Sequence, residues 1–182
     1  MGRSGSTLCF STLQKSAKTI LNRHPARFEA SLARARLFRG TIVKTHDYPD
    51  ALQGRREAVK VLFIFGSTCE AALSVYDCRE RYGADWVAEH FANCKSDAKF
   101  DDLFRFDALG MAQQIKAWAV FDHVPVLCVR LDALWQHAAE IARFTGYAFD
   151  LPPKQARVEK KAPEGLRQRA RTVYAPLDEE IA

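Results

Sequence analysis

Three short apolar runs, each bounded by polar residues, constrain the fold of this chain most strongly. They span residues 41–46, 59–65 and 125–131 and are rich in apolar and β-branched side chains, which favour β-strands. Each run is nearly continuous rather than alternating, so we expect both faces of each strand to be buried. Strands of this kind are typical of a parallel β-sheet that helices cover on both sides.

Amphipathic stretches separate and follow these runs. We expect Gly83 and Gly146 to end helices, since a glycine commonly follows a helix C-terminus. The alternation of strands and helices predicts an α/β fold in which a parallel β-sheet is flanked by helices. The expected helices cover residues 7–21, 25–38, 67–82, 85–93, 107–120 and 132–144.

The length of 182 residues favours one domain, and an apolar content of 48% is enough for a hydrophobic core. We assign residues 1–151 to the α/β domain and residues 152–182 to a charged, largely exposed C-terminal extension of it, with a short helix over 164–174. No segment approaches the roughly 20 apolar residues of a membrane span, and no secretory signal is recognisable. We therefore expect a cytoplasmic protein without a membrane partner.

The five cysteines are odd in number, and no pair has the Cys-x-x-Cys spacing. We therefore expect neither a disulfide framework nor a metal site, and a reducing compartment. The net charge of +5 is compatible with an anionic ligand, although a merely basic surface explains it equally well.

The residues at the N-terminus predict an anion-binding loop ahead of the first helix. Gly2 and Gly5 permit sharp turns that point successive N–H groups inward, and the helix start adds unpaired N–H groups with partial positive charge. Arg3 adds a full charge, and further donors are the hydroxyl groups of Ser4, Ser6 and Thr7. A serine-rich helix cap would explain the same residues. The lysine of a Walker A motif does not follow Gly5, which argues against a magnesium-dependent triphosphate enzyme.

Lys44 and His46 lie at the end of the first apolar run. Residues two apart on a strand face the same side, and the C-terminal ends of parallel strands are where α/β sheets bind ligands. A histidine can accept a hydroxyl proton near neutral pH, and a lysine can stabilise developing negative charge. The pair alone would favour a solvated strand end, but its position after the N-terminal loop favours a functional site.

Taken in order, these segments resemble the sulfotransferase family, whose members use 3′-phosphoadenosine 5′-phosphosulfate. Residues 2–8, Gly-Arg-Ser-Gly-Ser-Thr-Leu, resemble the family's 5′-phosphosulfate loop, and residues 43–46, Val-Lys-Thr-His, resemble its Lys-Thr-His segment. Residues 126–134 and 138–146 resemble a later strand and helix of the family. The resemblance implies a P-loop-type fold of the sulfotransferase and nucleotide-kinase kind, a three-layer sandwich. In the family a central β-strand precedes the loop, and the present sequence begins at the loop itself.

The resemblance also implies roles for individual residues. Lys44 would stabilise charge on the bridging oxygen and His46 would deprotonate the acceptor, with Glu29 or Asp47 as the next candidates for the base. Arg3 would act on the transferring group as well as bind it, and no metal would be needed. The donor would be held by Arg3, Ser4, Gly5, Ser6 and Thr7 at its 5′-phosphosulfate and by Ser74 at its 3′-phosphate.

The region after the second apolar run departs from the family pattern. Gly66 stands in place of an arginine that binds the 3′-phosphate, and Thr68 stands in place of a proline, while Glu70 replaces an aspartate conservatively. Because an arginine–phosphate contact is charge-assisted, its loss predicts weak recognition of the 3′-phosphate. Another cation could replace the arginine, for which the sequence offers Arg157, Lys160 and Lys161.

We therefore expect an enzyme that transfers a sulfuryl group from 3′-phosphoadenosine 5′-phosphosulfate to a hydroxyl or amine of a small-molecule acceptor. We do not expect a nucleic-acid partner. A catalytically inactive nucleotide- or anion-binding descendant of the fold is the main alternative, and a P-loop phosphotransferase is a less favoured one. The acceptor pocket is expected to be lined by residues 85–106 and by the loop after His46.

Overall fold

The computed structural model describes residues 5–21, 26–29, 31–38, 40–55, 58–156 and 160–181. The strands are β1 (Ala26–Phe28), β2 (Ile42–Lys44), β3 (Val61–Phe65) and β4 (Val126–Arg130). The α-helices are α1 (Ser6–Leu21), α2 (Thr68–Asn93), α3 (Met111–Ala119), α4 (Ala138–Thr145) and α5 (Glu164–Glu180).

The strands form two small parallel sheets, so the expected α/β fold with parallel pairing is confirmed at this level. β1 pairs with β2, and β3 pairs with β4 in a register that joins Val61 to Val126 and Phe65 to Arg130. The three expected apolar runs each contain a strand; β2 and β4 are shorter than predicted at both ends, and β3 is shorter at its N-terminal end only. Both β2 and β3 contact α1, although they are not hydrogen-bonded to each other.

The helix predicted over residues 25–38 is wrong. Within its described part the chain forms β1 and then a 3-10 turn at Leu32–Arg34. The backbone N–H groups there are satisfied by distant partners: Glu29 donates to the carbonyl of Lys44 at 2.9 Å, and Leu32 donates to the carboxylate of Asp47. These long-range hydrogen bonds replace the ones that a helix would have made.

The break predicted at Gly83 is present inside α2. Gly83 has φ 84° and ψ −177°, which is not helical, so α2 consists of two helices joined at a kink. Ser67 caps the first of them, since its hydroxyl accepts the N–H of Glu70 at 3.1 Å. Gly146 ends α4 with φ 78°, as expected.

Helices cover both faces of the β3–β4 sheet. The side chains of Ile64 and Val129 pack with Cys9 and Leu13 of α1 and with Ile141 of α4. Phe63 points the other way, into a larger cluster that draws on α2, α3 and α5. The sheet therefore holds the N-terminus of α1 and the start of α2 near the C-terminal ends of its strands.

Most described residues of the C-terminal segment are exposed, as its charge predicted, but its helix is longer than expected and carries two buried residues. α5 runs on to Glu180, and its residues Ala170 and Tyr174 are fully buried against the rest of the chain. The hydroxyl of Tyr174 donates to the carbonyl oxygens of Leu103 at 2.7 Å and Phe106 at 3.1 Å. A buried stripe on an otherwise charged helix thus attaches the C-terminus to α2. Among the described helices, none has the length and apolar character that crossing a membrane requires.

Candidate functional site

The N-terminus of α1 presents hydrogen-bond donors that have no partner in the described part of the chain. The first helical hydrogen bond runs from the N–H of Cys9 to the carbonyl of Gly5 at 3.1 Å, so the N–H groups of Ser6, Thr7 and Leu8 have no partner within the helix. No acidic residue lies in this first turn. The hydroxyl oxygen of Ser6 is buried and has no hydrogen-bond partner among the described residues. These groups can donate hydrogen bonds to a bound anion, and the helix dipole also favours negative charge at this position.

Gly5 allows this arrangement. Its φ is 82°, and a β-carbon at this position would lie 2.2 Å from the Cδ1 atom of Leu131, which follows β4. The loop therefore packs against the end of β4 at a point where only glycine fits. Arg3 and Ser4, which the sequence assigns to the same loop, lie outside the described residues.

Lys44 meets this helix start from the end of β2. Its ammonium group donates a hydrogen bond of 2.7 Å to the hydroxyl of Thr7. Burial lowers the pKa of Lys44 from its usual value, which shows that the ammonium group lies in a partly desolvated position. The structure thus brings together two predicted site residues that are 37 positions apart in the sequence.

His46 is buried, with 9% of its surface exposed. Burial lowers its pKa to about 3, and the positive charges of His90 and Lys44 add to the effect. Its ring lies 5.9 Å from that of Phe28 and 6.2 Å from that of His90, measured between centroids. The side-chain amide of Gln114 donates to its backbone carbonyl at 2.6 Å, which fixes the chain here. The imidazole is therefore neutral at physiological pH.

The two carboxylates considered as alternative bases are both engaged in ion pairs. Asp47 lies 3.3 Å from the ammonium group of Lys95 and also accepts the N–H of Leu32. Glu29 pairs with Arg27 at 2.6 Å. Asp47 is largely buried, so its carboxylate holds the loop after β2 in place.

The start of α2, where the 3′-phosphate was expected, is covered by α5. The carboxylate of Asp178 accepts from the hydroxyl of Ser67 at 2.6 Å and from the N–H and hydroxyl of Thr68 at 2.6 and 2.8 Å. The N–H of Cys69 lies 3.5 Å from the same carboxylate. Ser74 is 3% exposed and lies in the buried face of α2. The donors of this helix start are therefore satisfied within the chain.

The cations named as substitutes for the missing arginine lie at the far end of α5. Lys160 and Lys161 precede the helix, whereas Asp178 is near its C-terminus, and at 1.5 Å per residue this places them roughly 20 Å from the start of α2. Arg157 lies outside the described residues. Arg171, which the sequence did not single out, acts on the start of α2. Its positive charge lowers the pKa of Cys69, whereas burial raises it.

Sequence reasoning also missed the contacts that surround these residues. Gln114 and Trp118 of α3 both donate to the backbone carbonyl of Asp47, at 3.1 and 3.2 Å, and so support the loop that carries His46. Gln114 belongs to no recognisable motif, and Trp118 matches the sulfotransferase pattern only as a structural residue of a helix. Among the described residues no cluster of histidine, cysteine and carboxylate side chains could hold a metal ion. Comparisons with protein-family models, with curated proteins and with solved structures found no match to this chain.

Proposed function

We propose that this protein is a sulfotransferase of P-loop-type fold, which moves a sulfuryl group from 3′-phosphoadenosine 5′-phosphosulfate to a hydroxyl or amine. The contact of 2.7 Å between Lys44 and Thr7 carries the proposal, because it joins the N-terminal loop to the Lys-Thr-His segment. The first N–H groups of α1 and the hydroxyl of Ser6, which have no partner among the described residues, support it, since a phosphosulfate group needs donors of this kind. The free cysteines favour the cytoplasm.

In this mechanism the donor's 5′-phosphosulfate lies on the start of α1. The acceptor oxygen or nitrogen attacks the sulfur, and the bond from sulfur to the bridging phosphate oxygen breaks. Lys44 stabilises the negative charge that develops on that oxygen, and 3′-phosphoadenosine 5′-phosphate leaves. His46 takes the proton that the acceptor loses.

For His46 to act as the base, donor binding has to raise its pKa. A histidine with a pKa of about 3 is unprotonated but weakly basic. An anionic group bound beside Lys44 offsets the nearby positive charge, which raises the pKa of the imidazole. We therefore expect His46 to accept a proton more readily once the donor is bound.

A transfer assay with radiolabelled donor and a panel of hydroxyl and amine acceptors tests the proposal. His46→Ala should lower transfer by on the order of 10²–10⁴-fold while leaving nucleotide binding nearly intact. The matched control is His137→Ala, which removes an exposed histidine that pairs with Glu140. Transfer by His46→Ala at the parental rate would remove His46 from the mechanism.

One observation favours the alternative of an inactive nucleotide- or anion-binding protein. The start of α2 is already bonded to Asp178, and Ser74 is buried, so the usual contacts to a 3′-phosphate are missing here. Donor binding at the start of α1 without transfer to any acceptor would support this alternative.

A further inference from the structure

A cavity of about 310 Å³ lies beside the loop that carries His46. Its wall consists of Tyr48, the C-terminal end of α2 with the residues after it, and the segment 106–110 ahead of α3. Its volume is at the lower end of the range for small-molecule sites. Tyr48 and the residues from Cys94 onward agree with the expected acceptor pocket, whereas the segment 107–110 was not expected to contribute.

The wall of this cavity contains the carboxylate of Asp107, of which one oxygen has a hydrogen-bond partner among the described residues and the other has none. The Oδ2 atom of Asp107 accepts the N–H of Ala112 at 2.8 Å. Its Oδ1 atom is buried and has no hydrogen-bond partner among the described residues. A buried carboxylate oxygen without a partner is unfavourable, and a cationic donor is the partner that stabilises it most.

Among the described residues of the wall, the cation Lys95 does not compensate the charge of Asp107. The ammonium group of Lys95 points to Asp47 at 3.3 Å, so its charge is matched there. The hydroxyl of Tyr48 donates to the carbonyl of Gly110 at 3.1 Å. Burial raises the pKa of Tyr48, and the negative charge of Asp107 raises it further.

An exposed aromatic residue lines the same cavity. Phe106 is 51% exposed, and it lines the cavity next to Asp107. An exposed ring of this kind gives apolar contact and attracts a cation to its face. We propose that the cavity binds a small organic cation, an amine whose ammonium group is held by Asp107 and whose carbon skeleton packs on Phe106.

Contacts between side chains connect the cavity wall to the loop that carries His46. The Lys95–Asp47 ion pair links the cavity wall to the residue next to His46. On the same wall the sulfur of Cys94 lies 3.9 Å from the Nε2 atom of His90, whose ring faces that of His46. The cavity is thus one layer of side chains away from the proposed base.

Three probes of the same shape test the cation site on the full-length protein. Benzylamine, benzyl alcohol and benzoate carry a positive, a neutral and a negative group on one aromatic ring. Titration followed by the amide NMR signals of residues 94–98 and 106–110 should show binding of benzylamine at least about tenfold tighter than that of benzyl alcohol, and no binding of benzoate. Benzoate binding as tightly as benzylamine would overturn the proposal.

Asp107→Asn is the decisive variant, because it removes the charge and keeps an oxygen for the N–H of Ala112. It should weaken benzylamine about tenfold or more, whereas Asp101→Asn, at an exposed position outside the cavity wall, should leave the affinity unchanged. Unchanged benzylamine affinity in Asp107→Asn would refute the site. Because no nucleotide is present, benzylamine binding in a protein that transfers no sulfuryl group would uphold the cation site and refute only the proposed function.

Discussion

Replacing Asp178 with alanine should destabilise the protein far more than its position in a charged C-terminal helix suggests. One carboxylate accepts three hydrogen bonds of 2.6 to 2.8 Å from Ser67 and Thr68, and the N–H of Cys69 lies 3.5 Å away. It therefore caps the start of α2 from another element and attaches α5 to it. The variant leaves these donors without their acceptor.

The magnitude follows from the bonds that are lost. A hydrogen bond to a charged group contributes about 1.5–3 kcal/mol, and a charge near a helix N-terminus adds up to about 2 kcal/mol in partly buried geometries. These contributions share one carboxylate that is partly exposed, so they do not add in full. We expect Asp178→Ala to lower the free energy of unfolding by about 2–4 kcal/mol.

Equilibrium urea unfolding measures this effect. With a slope of about 1–3 kcal/mol per molar urea, the midpoint should fall by roughly 1 M or more. Asp178→Asn keeps one oxygen and should lose about half as much, because the charge and the second acceptor are gone. The matched control is Glu179→Ala, at the exposed neighbouring position, whose midpoint should stay close to that of the parent.

The explanation can be refuted in two ways. A loss below about 0.5 kcal/mol in Asp178→Ala would show that the carboxylate does not hold the two helices together. In a double-mutant cycle, Thr68→Val and Asp178→Ala should couple by about 1 kcal/mol or more, since the two side chains bond each other directly. Additive effects would assign the loss to another cause.

Three further predictions concern the candidate site. Gly5→Ala should lower the free energy of unfolding by about 2 kcal/mol and weaken anion binding, because Gly5 has a positive φ and a β-carbon there would lie 2.2 Å from Leu131. The control is Gly165→Ala, which has open space around it and should be neutral or stabilising in urea unfolding. The pKa of His46 is about 3 in the folded protein and about 6.5 in the unfolded chain, so between these pH values only the unfolded chain gains a proton. The free energy of unfolding should therefore fall by up to about 1.4 kcal/mol per pH unit as the pH is lowered from about 6.5 to 3. His46→Gln should flatten that dependence, and an unchanged slope would contradict the assignment. Adenosine 3′,5′-bisphosphate and adenosine 5′-monophosphate should bind within about tenfold of each other in titration calorimetry, because Gly66 supplies no cation; a thousandfold preference would point to Arg171 as the substitute.

The sequence predicted the parts of the fold that local pattern determines. The apolar runs became β2, β3 and β4, and Gly83 and Gly146 interrupt and end their helices as expected. It failed over residues 25–38, where β1 pairs with β2 and Asp47 binds the N–H of Leu32. Partners distant in sequence decide that segment, so its own periodicity was misleading.

The C-terminal helix shows what a charged composition conceals. Ala170 and Tyr174 are four positions apart, which places them on one helix face, and both are fully buried. That spacing was a readable signal of packing. The contact of Asp178 with the start of α2 could not be predicted, because a sequence does not indicate which helix N-terminus a distant carboxylate caps.

For the candidate site, the sequence predicted that Thr7 and Lys44 both contact the bound phosphosulfate, and in the structure their side chains contact each other. It gave no indication of Gln114, which holds the backbone of His46, or of the cavity beside Asp107. Only their proximity in the folded structure identifies such residues. Motifs in a sequence indicate candidate groups, whereas the residues that support them become visible only in the fold.

Titration calorimetry of 3′-phosphoadenosine 5′-phosphate against the protein and its Lys44→Met variant tests the central claim most directly. The claim is that Lys44 and the start of α1 form one anion site, joined by the contact to Thr7. The parent should bind the nucleotide, Lys44→Met should bind it at least about tenfold more weakly, and Lys15→Met, at an exposed position on α1, should bind it as the parent does. Equal affinity in Lys44→Met and the parent, or no binding by the parent, would contradict the claim.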